Sequence, residues 1–296
     1  MLESPGPGAL VAPRPRGDRR AARGLLMVAP AVIVAAIVVI GGTGMAIIQS
    51  LGLLPLVGEA RLSLDAYAAN ADELWLGLGL SLAIATASTA LSCVIGLTAA
   101  VIISQGRMTG RLVAALSAVT IPIPHLVGAA AIGLLVADAG ILPRMLGLDT
   151  ATWPDLVGGP WWVAVVLEYT WKESAFVALV VAGVLATRVA RYDETAALLG
   201  ASRARRLRHV VIPLAMPAVV VSAVIIFVYT LGSYEVAWLL GRPYPEPLPV
   251  LAFRLFNSVT LTARPEAAAV AVVTTLISLL VVAIGMAILR RMPLWR

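Results

Sequence analysis

Long apolar runs alternate with short polar intervals along the whole chain of 296 residues. A helix needs about 20 predominantly apolar residues to cross the hydrocarbon core of a bilayer. Six runs meet this requirement, at roughly 25–48, 75–103, 112–136, 161–186, 215–240 and 266–289. The pattern therefore predicts an all-α, polytopic membrane protein with six transmembrane helices.

Prolines modify two parts of this pattern. Pro122 and Pro124 lie inside the third run, where a missing backbone N–H and a bulky ring imply a kink or a break. A proline-rich stretch follows the fifth run, and the segment 241–265 is expected outside the membrane core or partly within it. The ends of the spans are therefore less well predicted than their number.

The distribution of basic residues gives the orientation. The net charge is +6, which in a soluble protein would suggest a nucleic-acid partner, but 60% of the residues are hydrophobic and only 13% are charged. Most arginines lie before the first run, near 107–111, within 188–208 or after the last run. Because cytoplasmic loops are enriched in basic residues, we predict a multi-pass protein of a bacterial plasma membrane with both termini cytoplasmic. Residues 1–24 are expected to be a disordered basic cytoplasmic N-terminus, with the transmembrane domain spanning 25–296.

Motifs for catalysis are missing from the sequence. It contains no GxxxxGK[ST] phosphate loop, no HExxH and no nucleophile elbow. Two histidines and the single Cys93 do not make a metal-ligand cluster, so we predict no metal, no cofactor and no enzymatic activity.

The longest polar interval between apolar runs, residues 188–214, has helical rhythm and contains the sequence DETAALLGASRARRLRHVVIP. Asp193 and Glu194 are acids of the kind that favour a helix N-terminus, and Gly200 permits a turn. An arginine-rich second helix is expected to follow and to be limited by Pro213 and Pro217. The interval predicts two short helices around a glycine at the membrane surface.

This interval resembles the cytoplasmic signature loop of the inner-membrane permease subunits of bacterial binding-protein-dependent ABC importers. The family pattern is roughly Glu-Ala-Ala, three residues, Gly-Ala, about nine residues, and Ile-x-Leu-Pro. Glu194 matches the acid, Gly200 and Ala201 match the Gly-Ala pair, and residues 212–214 form a variant of the ending. Thr195 departs from the first alanine, and the proline precedes the leucine. The resemblance implies the fold of a type I ABC permease.

The resemblance also implies partners and a role for the loop. Two ATP-binding subunits are expected to bind ATP and to hold the first helix of the loop in a groove. A second permease, usually a different chain, would complete the pathway. An extracytoplasmic solute-binding protein would dock on the outer loops. Membrane lipid is the remaining expected contact. The implied ATPase-coupling residues are Asp193, Glu194, Ala196, Ala197, Leu199, Gly200 and Ala201. Arginines 203, 205, 206 and 208 are expected either to contact the ATPase or to face solvent and anionic lipid.

Ionisable residues inside apolar runs are costly in lipid and face a cavity or one another. Glu168 and Lys172 have i,i+4 spacing in the fourth run and are expected to neutralise each other, with Glu173 beside them. The candidate translocation-path residues are Glu168, Lys172, Glu173, Tyr229, Ser233, Tyr234 and Glu235. They either line the path or include an ion pair that holds the bundle. His125 is interpreted as a packing or interface residue.

The stretch GSYEVAWLLG, at 232–241, resembles a segment of permeases in the polyamine-type branch, which includes phosphonate- and iron-type members. An acid at Glu235 suits a cationic solute. The predicted function is therefore import of a polyamine-like or other small polar organic compound. The alternatives are a sugar permease of the same superfamily and a membrane scaffold that does not transport.

Overall fold

The computed structural model describes residues 17–292, without the side chains of residues 17–23, 25, 187–191, 193 and 194. The regular elements of this part of the chain are all helices and include no strand, which confirms the all-α prediction. Its α-helices are α1 (Gly17–Ser50), α2 (Asp65–Ala68), α3 (Ala71–Ser104), α4 (Met108–Thr120), α5 (His125–Val136), α6 (Ile141–Leu146), α7 (Val163–Leu198), α8 (Arg203–Arg206), α9 (Ile212–Gly232), α10 (Glu235–Leu240), α11 (Leu248–Phe256) and α12 (Arg264–Arg291). Leu207–Val211 is a π-helical turn and Leu261–Ala263 a 3₁₀ turn.

The described residues include six segments that are long and apolar enough to cross a membrane, which confirms the predicted number. They are Leu26–Ser50, Ala71–Ser104, His125–Leu146, Val163–Ala186, Arg203–Gly232 and Leu261–Arg291. The chain divides into two units, Met1–Met45 and Ala46–Arg296, and the site lies in the second. Most of the predicted basic N-terminus, residues 1–24, lies outside the described residues.

The third apolar run, 112–136, is broken at its prolines, which confirms one of the two predicted outcomes, a kink or a break; the candidate span begins only after the break, at His125. The chain forms α4, leaves helical geometry at residues 121–124, and begins again as α5. Pro122 and Pro124 explain the break, because neither supplies a backbone donor and each disfavours helix in the residue before it.

Helices α3 and α7 form the centre of the second unit. The buried face of α3 consists mainly of small residues at intervals of three or four: Gly77, Ser81, Ala85, Ser88, Ser92, Gly96 and Ala100. A Cβ atom placed on Gly96 would lie 2.5 Å from the Cβ of Val177 on α7, so a larger side chain would force the helices apart. Small residues at such a crossing allow close backbone packing where lipid supplies no hydrophobic driving force. Helix α9 completes this core through residues such as Ala215 and Ile226.

Helix α7 continues through the region where a separate short helix was predicted to begin at residue 193. It runs without interruption from Val163 to Leu198. The sequence has no strong stop signal before Gly200, since the intervening Gly183 lowers helix stability by only about 1 kcal/mol relative to alanine. The prediction of two short helices around Gly200 is therefore wrong for the first of them.

The prolines after Gly200 do not end the second helix, contrary to the prediction. Residues Arg203–Gly232 form one candidate span made of α8, the π-helical turn and α9. Pro213 lies in the first turn of α9, directly after the π-helical turn, and Pro217 lies inside α9 without ending it. The predicted span at 215–240 instead breaks at Ser233 and Tyr234, because α9 ends at Gly232 and Ser233 is extended.

The segment 241–265 contains α11, which packs on α3 and α12 through Leu248, Leu251 and Leu255. Arg254 lies 2.7 Å from a carboxylate oxygen of Glu246 and 2.5 Å from one of Glu73 at the start of α3. These hydrogen bonds, to Glu246 and then to Glu73, raise the pKa of the Arg254 guanidinium. The contacts fix α11 to the start of α3.

Candidate functional site

Four ionisable side chains meet at the break between α4 and α5. We refer to His125, Glu168, Lys172 and Glu173 as the ion cluster. The His125 Nδ1 atom lies 3.1 Å from Glu168 Oε1, and its Nε2 atom lies 3.4 Å from Glu173 Oε1. Glu168 is fully buried. One imidazole at the start of α5 thus joins that helix to two acids on α7.

Lys172 holds the other side of the break. Its Nζ donates to the carbonyl oxygens of Thr120 at 3.2 Å and Ile121 at 3.4 Å, and to that of Ile123. It is the only lysine in the chain, whose other permanently cationic side chains are all arginine. A compact ammonium has three donors that can turn toward three carbonyls, whereas a planar guanidinium cannot. Lys172 therefore supplies a donor to the Thr120 carbonyl, whose helical partner would have been the N–H that Pro124 lacks, and to two carbonyls inside the break.

The predicted direct pair between Glu168 and Lys172 is not the arrangement found. The partner of Glu168 is His125, and Lys172 bonds to backbone. His125 is also the residue that the sequence interpretation missed, because it was assigned to packing. The signal available was its place directly after Pro124 at the start of α5, beside a break that needs polar partners.

The contacts of the ion cluster suit a protonated His125. An imidazolium can donate from both ring nitrogens and so satisfies both Glu168 and Glu173, whereas a neutral ring donates to only one. With His125 in that form, the imidazolium and Lys172 offset the two carboxylates.

Gly128 makes the contact between α5 and α7 possible. A Cβ atom at this position would lie 2.8 Å from Glu168 Oε1 and 3.2 Å from a ring carbon of Trp171. Gly128 itself is buried. Its missing side chain is therefore what lets α5 reach the acid on α7.

Aromatic rings and hydroxyls adjoin the ion cluster. We call His125, Tyr169, Tyr229 and Ser233 the aromatic face. The ring of His125 lies 4.8 Å from that of Tyr229 and 5.9 Å from that of Tyr169, and the two tyrosines meet edge to face. Tyr229 is 39% exposed. Tyr169 and Ser233 are buried near each other, but within the described residues their hydroxyls form no hydrogen bond of ordinary geometry. The aromatic face thus combines an accessible ring with buried hydroxyls.

Two of the predicted path residues lie apart from this group. The ring of Tyr234 lies 4.3 Å from that of Phe253 and 5.9 Å from that of Trp238. Glu235 is exposed at the first residue of α10. Within residues 17–292, neither side chain forms a hydrogen bond, ion pair or ring contact with the ion cluster. The structure brings the other five predicted residues together.

The end of α7 carries exposed leucines. Leu198 and Leu199 are 88% and 83% exposed, and the neighbouring Ala197 is exposed too, whereas Ala196 and Ala201 are partly buried. The side chains of Asp193 and Glu194 lie outside the described residues, although their backbone belongs to α7. Leu198 was not among the predicted coupling residues. Adjacent leucines exposed at a polar helix end are typical of an interaction surface.

Gly200 ends α7 through its backbone conformation. It has a φ of +82°. Its N–H donates to the carbonyl of Ala197, and the N–H of Ala201 donates to that of Ala196, both at 3.0 Å. This pattern is a Schellman motif, which favours glycine at the left-handed position. A Cβ atom here would have nothing within 4 Å, so the positive φ, and not a neighbouring atom, is the reason for glycine at this turn.

The family described as the inner membrane component of binding-protein-dependent transport systems matches residues 92–292. The chain belongs to this family. It is thus a multi-pass permease of ABC importers, and the expectation of a non-enzymatic subunit is confirmed by the family and fold.

A curated relative of this permease is the sulfoquinovosyl glycerol transport system permease protein SmoG of Agrobacterium fabrum, which is 27% identical over 149 residues. The match covers 49% of this chain and 47% of the relative, so it spans about half the length of that protein.

Solved structures show the same fold at low sequence identity. A bacterial ABC transporter that imports the acidic polysaccharide alginate is 18% identical, with a TM-score of 0.72 over 93% of this chain and 97% of the other. The MetNI methionine ABC transporter is 20% identical, with a TM-score of 0.59 over 73% and 94%. The predicted type I permease fold is confirmed.

Proposed function

We propose that this permease forms half of the pathway for a polyhydroxylated, carbohydrate-type solute. A second permease, two ATP-binding subunits and an extracytoplasmic solute-binding protein complete the importer. The ATP-binding subunits hold the ATP, and this chain itself binds no cofactor. Both of its termini lie in the cytoplasm, in agreement with the arginine distribution.

The pairing of both acids with His125 carries the choice of solute. A polyamine needs unpaired carboxylates along its path, but Glu168 and Glu173 both face His125. Glu235 remains as a single exposed acid away from the ion cluster. The named relative, whose name specifies a glycoside of glycerol, also favours the sugar alternative over the polyamine expectation.

The aromatic face supplies the chemistry for such a solute. Tyrosine presents an apolar ring and a polar hydroxyl, which suits a sugar with apolar C–H faces and hydroxyl edges. Tyr229 is the accessible member, and Tyr169 and Ser233 lie behind it with hydroxyls available. In this proposal the ion cluster holds α5 against α7 and positions the ring of His125, rather than binding the solute.

Coupling to the ATPase takes place at the end of α7. Leu198 and Leu199 enter a groove on the ATP-binding subunit together with Ala196, Ala197 and Ala201, and Gly200 sets the direction of the chain that leaves the contact. Asp193 and Glu194 pair with basic residues of that subunit. Since α7 is continuous from this contact to the ion cluster, a rigid-body movement at one end is transmitted to the other.

The solute is tested by uptake in a bacterial host that expresses the permease with its partner subunits. The probes are labelled sulfoquinovosyl glycerol and labelled spermidine. We expect uptake of the glycoside to depend on this chain. In Tyr229→Ala this uptake should fall at least about tenfold, which corresponds to the loss of one contact worth about 1.4 kcal/mol. Tyr244→Ala is the matched control, because Tyr244 is also exposed and lies off the aromatic face. Chain-dependent uptake of spermidine alone would contradict the proposal.

The coupling role is tested by co-purification of the ATP-binding subunit. Gly200→Val forces a branched residue into a left-handed conformation and should reduce co-purification strongly while the permease still inserts. Gly183→Val is the control, because this position lies on α7, has ordinary φ, and would leave an added Cβ atom without a neighbour within 4 Å. Equal recovery of the ATP-binding subunit with both variants would exclude the coupling role of Gly200.

A further inference from the structure

We propose that a cavity beside the coupling end of α7 binds the headgroup of an anionic phospholipid. The cavity has a volume of about 620 Å³ and lies between the end of α3, the loop after it, α7 and the α8 region. It is distinct from the ion cluster and from the aromatic face, with which it shares no lining residue.

The polar lining of the cavity is positive. Arg107 comes from the loop after α3, and Arg203 begins α8, so two separate parts of the chain direct cations to one space. Neither has an ion pair within the described residues. Arg206 also lines the cavity and already has an interaction partner. Among the side chains that the structure describes, no acid lines the cavity, so its charge fits an anion.

The rest of the lining is apolar. Val101, Leu185 and Val211 are representative, and Ser104 and Gln105 add hydrogen-bonding groups near Arg107. A free phosphate gains nothing from an apolar wall, whereas a phospholipid places its phosphate on the arginines and its glycerol and first methylenes on the wall. The composition of the cavity therefore favours an amphiphilic anion.

The cavity also lies at the level where two spans end. The second candidate span ends at Ser104, three residues before Arg107, and the fifth begins at Arg203. Basic residues near a membrane surface attract anionic headgroups with about 1 kcal/mol each. Arg203 follows Gly200 by one short turn, so a lipid held there contacts the segment that leaves the coupling end of α7.

The test is native mass spectrometry of the detergent-purified, full-length permease titrated with phosphatidylglycerol or with phosphatidylcholine. In Arg107→Gln/Arg203→Gln we expect binding of phosphatidylglycerol to weaken about 30-fold, with no change for phosphatidylcholine. The matched control is Arg290→Gln/Arg291→Gln, which removes the same charge from exposed residues at the end of α12. This control should keep wild-type binding.

Three outcomes would overturn the proposal: unchanged binding in the cavity variant, equal weakening in both double variants, or full displacement of the lipid by millimolar inorganic phosphate. The last would identify a site for a free anion rather than for a lipid. Thermal unfolding of both variants checks that each is folded. Because the assay requires no transport, its failure is distinguishable from failure of the proposed function.

Discussion

Two breaks interrupt the membrane-spanning helices, and they are held by different chemistry. At the break between α4 and α5, an ammonium bonds to three freed carbonyls and an imidazole joins two acids. At the break between α9 and α10, the Ser233 N–H donates to the Thr230 carbonyl at 3.4 Å, and the buried hydroxyls of both residues have no partner. No charged side chain bonds to backbone there among the described residues.

The difference indicates different roles. Backbone groups without partners are costly inside a bilayer, so every break needs compensation or water. Charged hydrogen bonds fix the first break in one geometry, which suits a structural anchor. The second break leaves hydroxyls available, which suits a surface that adapts to a solute. Predictions that weaken one break and spare the other test this contrast.

The largest effect is expected for Lys172→Met at the first break. The side chain keeps nearly its length but loses the charge. The part-buried carbonyls of Ile121 and Ile123 lose the ammonium donor, while that of Thr120 still accepts from the Ile123 N–H. Unsatisfied buried acceptors cost about 1–3 kcal/mol each, so the free energy of unfolding should fall by roughly 4 kcal/mol. Thermal unfolding of the detergent-purified permease measures this. Lys172→Arg restores the charge without the compact shape and should recover only part of the lost free energy of unfolding. If Lys172→Met were as stable as the wild type, the ammonium would not hold the break.

A smaller effect on stability is expected when the glycine beside each break is replaced by alanine. Gly128→Ala places a Cβ atom 2.8 Å from Glu168 Oε1 and should lower stability by about 1–3 kcal/mol, as overpacking does. Gly232→Ala is the matched control at the second break, because nothing lies within 4 Å of its Cβ position. Its melting temperature should equal that of the wild type or exceed it. Equal losses would mean that the close approach of α5 to α7 is not required.

The sequence predicted this architecture better than the site within it. The number of spans follows from apolar length alone, and Gly200 was found because helix ends have local sequence signals. The direct partner of Glu168 was mispredicted, since an i,i+4 spacing is visible in the sequence whereas His125 reaches Glu168 only through the packing of α5 on α7. The length of α7 was also missed, because good helix formers extend through residues 193–198 without a stop signal.

A double-mutant cycle should sharpen the account of the first break. Glu168→Gln and His125→Gln each remove one side of the 3.1 Å contact while keeping a polar side chain. We expect a coupling energy of about 1–2 kcal/mol, as for other residues in one hydrogen-bond network. The cycle of His125→Gln with Glu173→Gln should give less, because that contact is longer, at 3.4 Å, and Glu173 is partly exposed. The reverse order would make Glu173 the main partner of His125.

The smallest effect on stability is expected for Ser233→Ala at the second break. Among the described residues the buried Ser233 hydroxyl has no hydrogen-bond partner of ordinary geometry, so its removal leaves no group newly unsatisfied and should change the free energy of unfolding by less than about 0.5 kcal/mol. If the second break is an adaptable part of the path, the KM for uptake should nevertheless rise, since a solute hydroxyl loses a partner. Unfolding and uptake measured on the same variant separate the two roles. A large loss of stability with unchanged uptake would make the second break a structural anchor like the first.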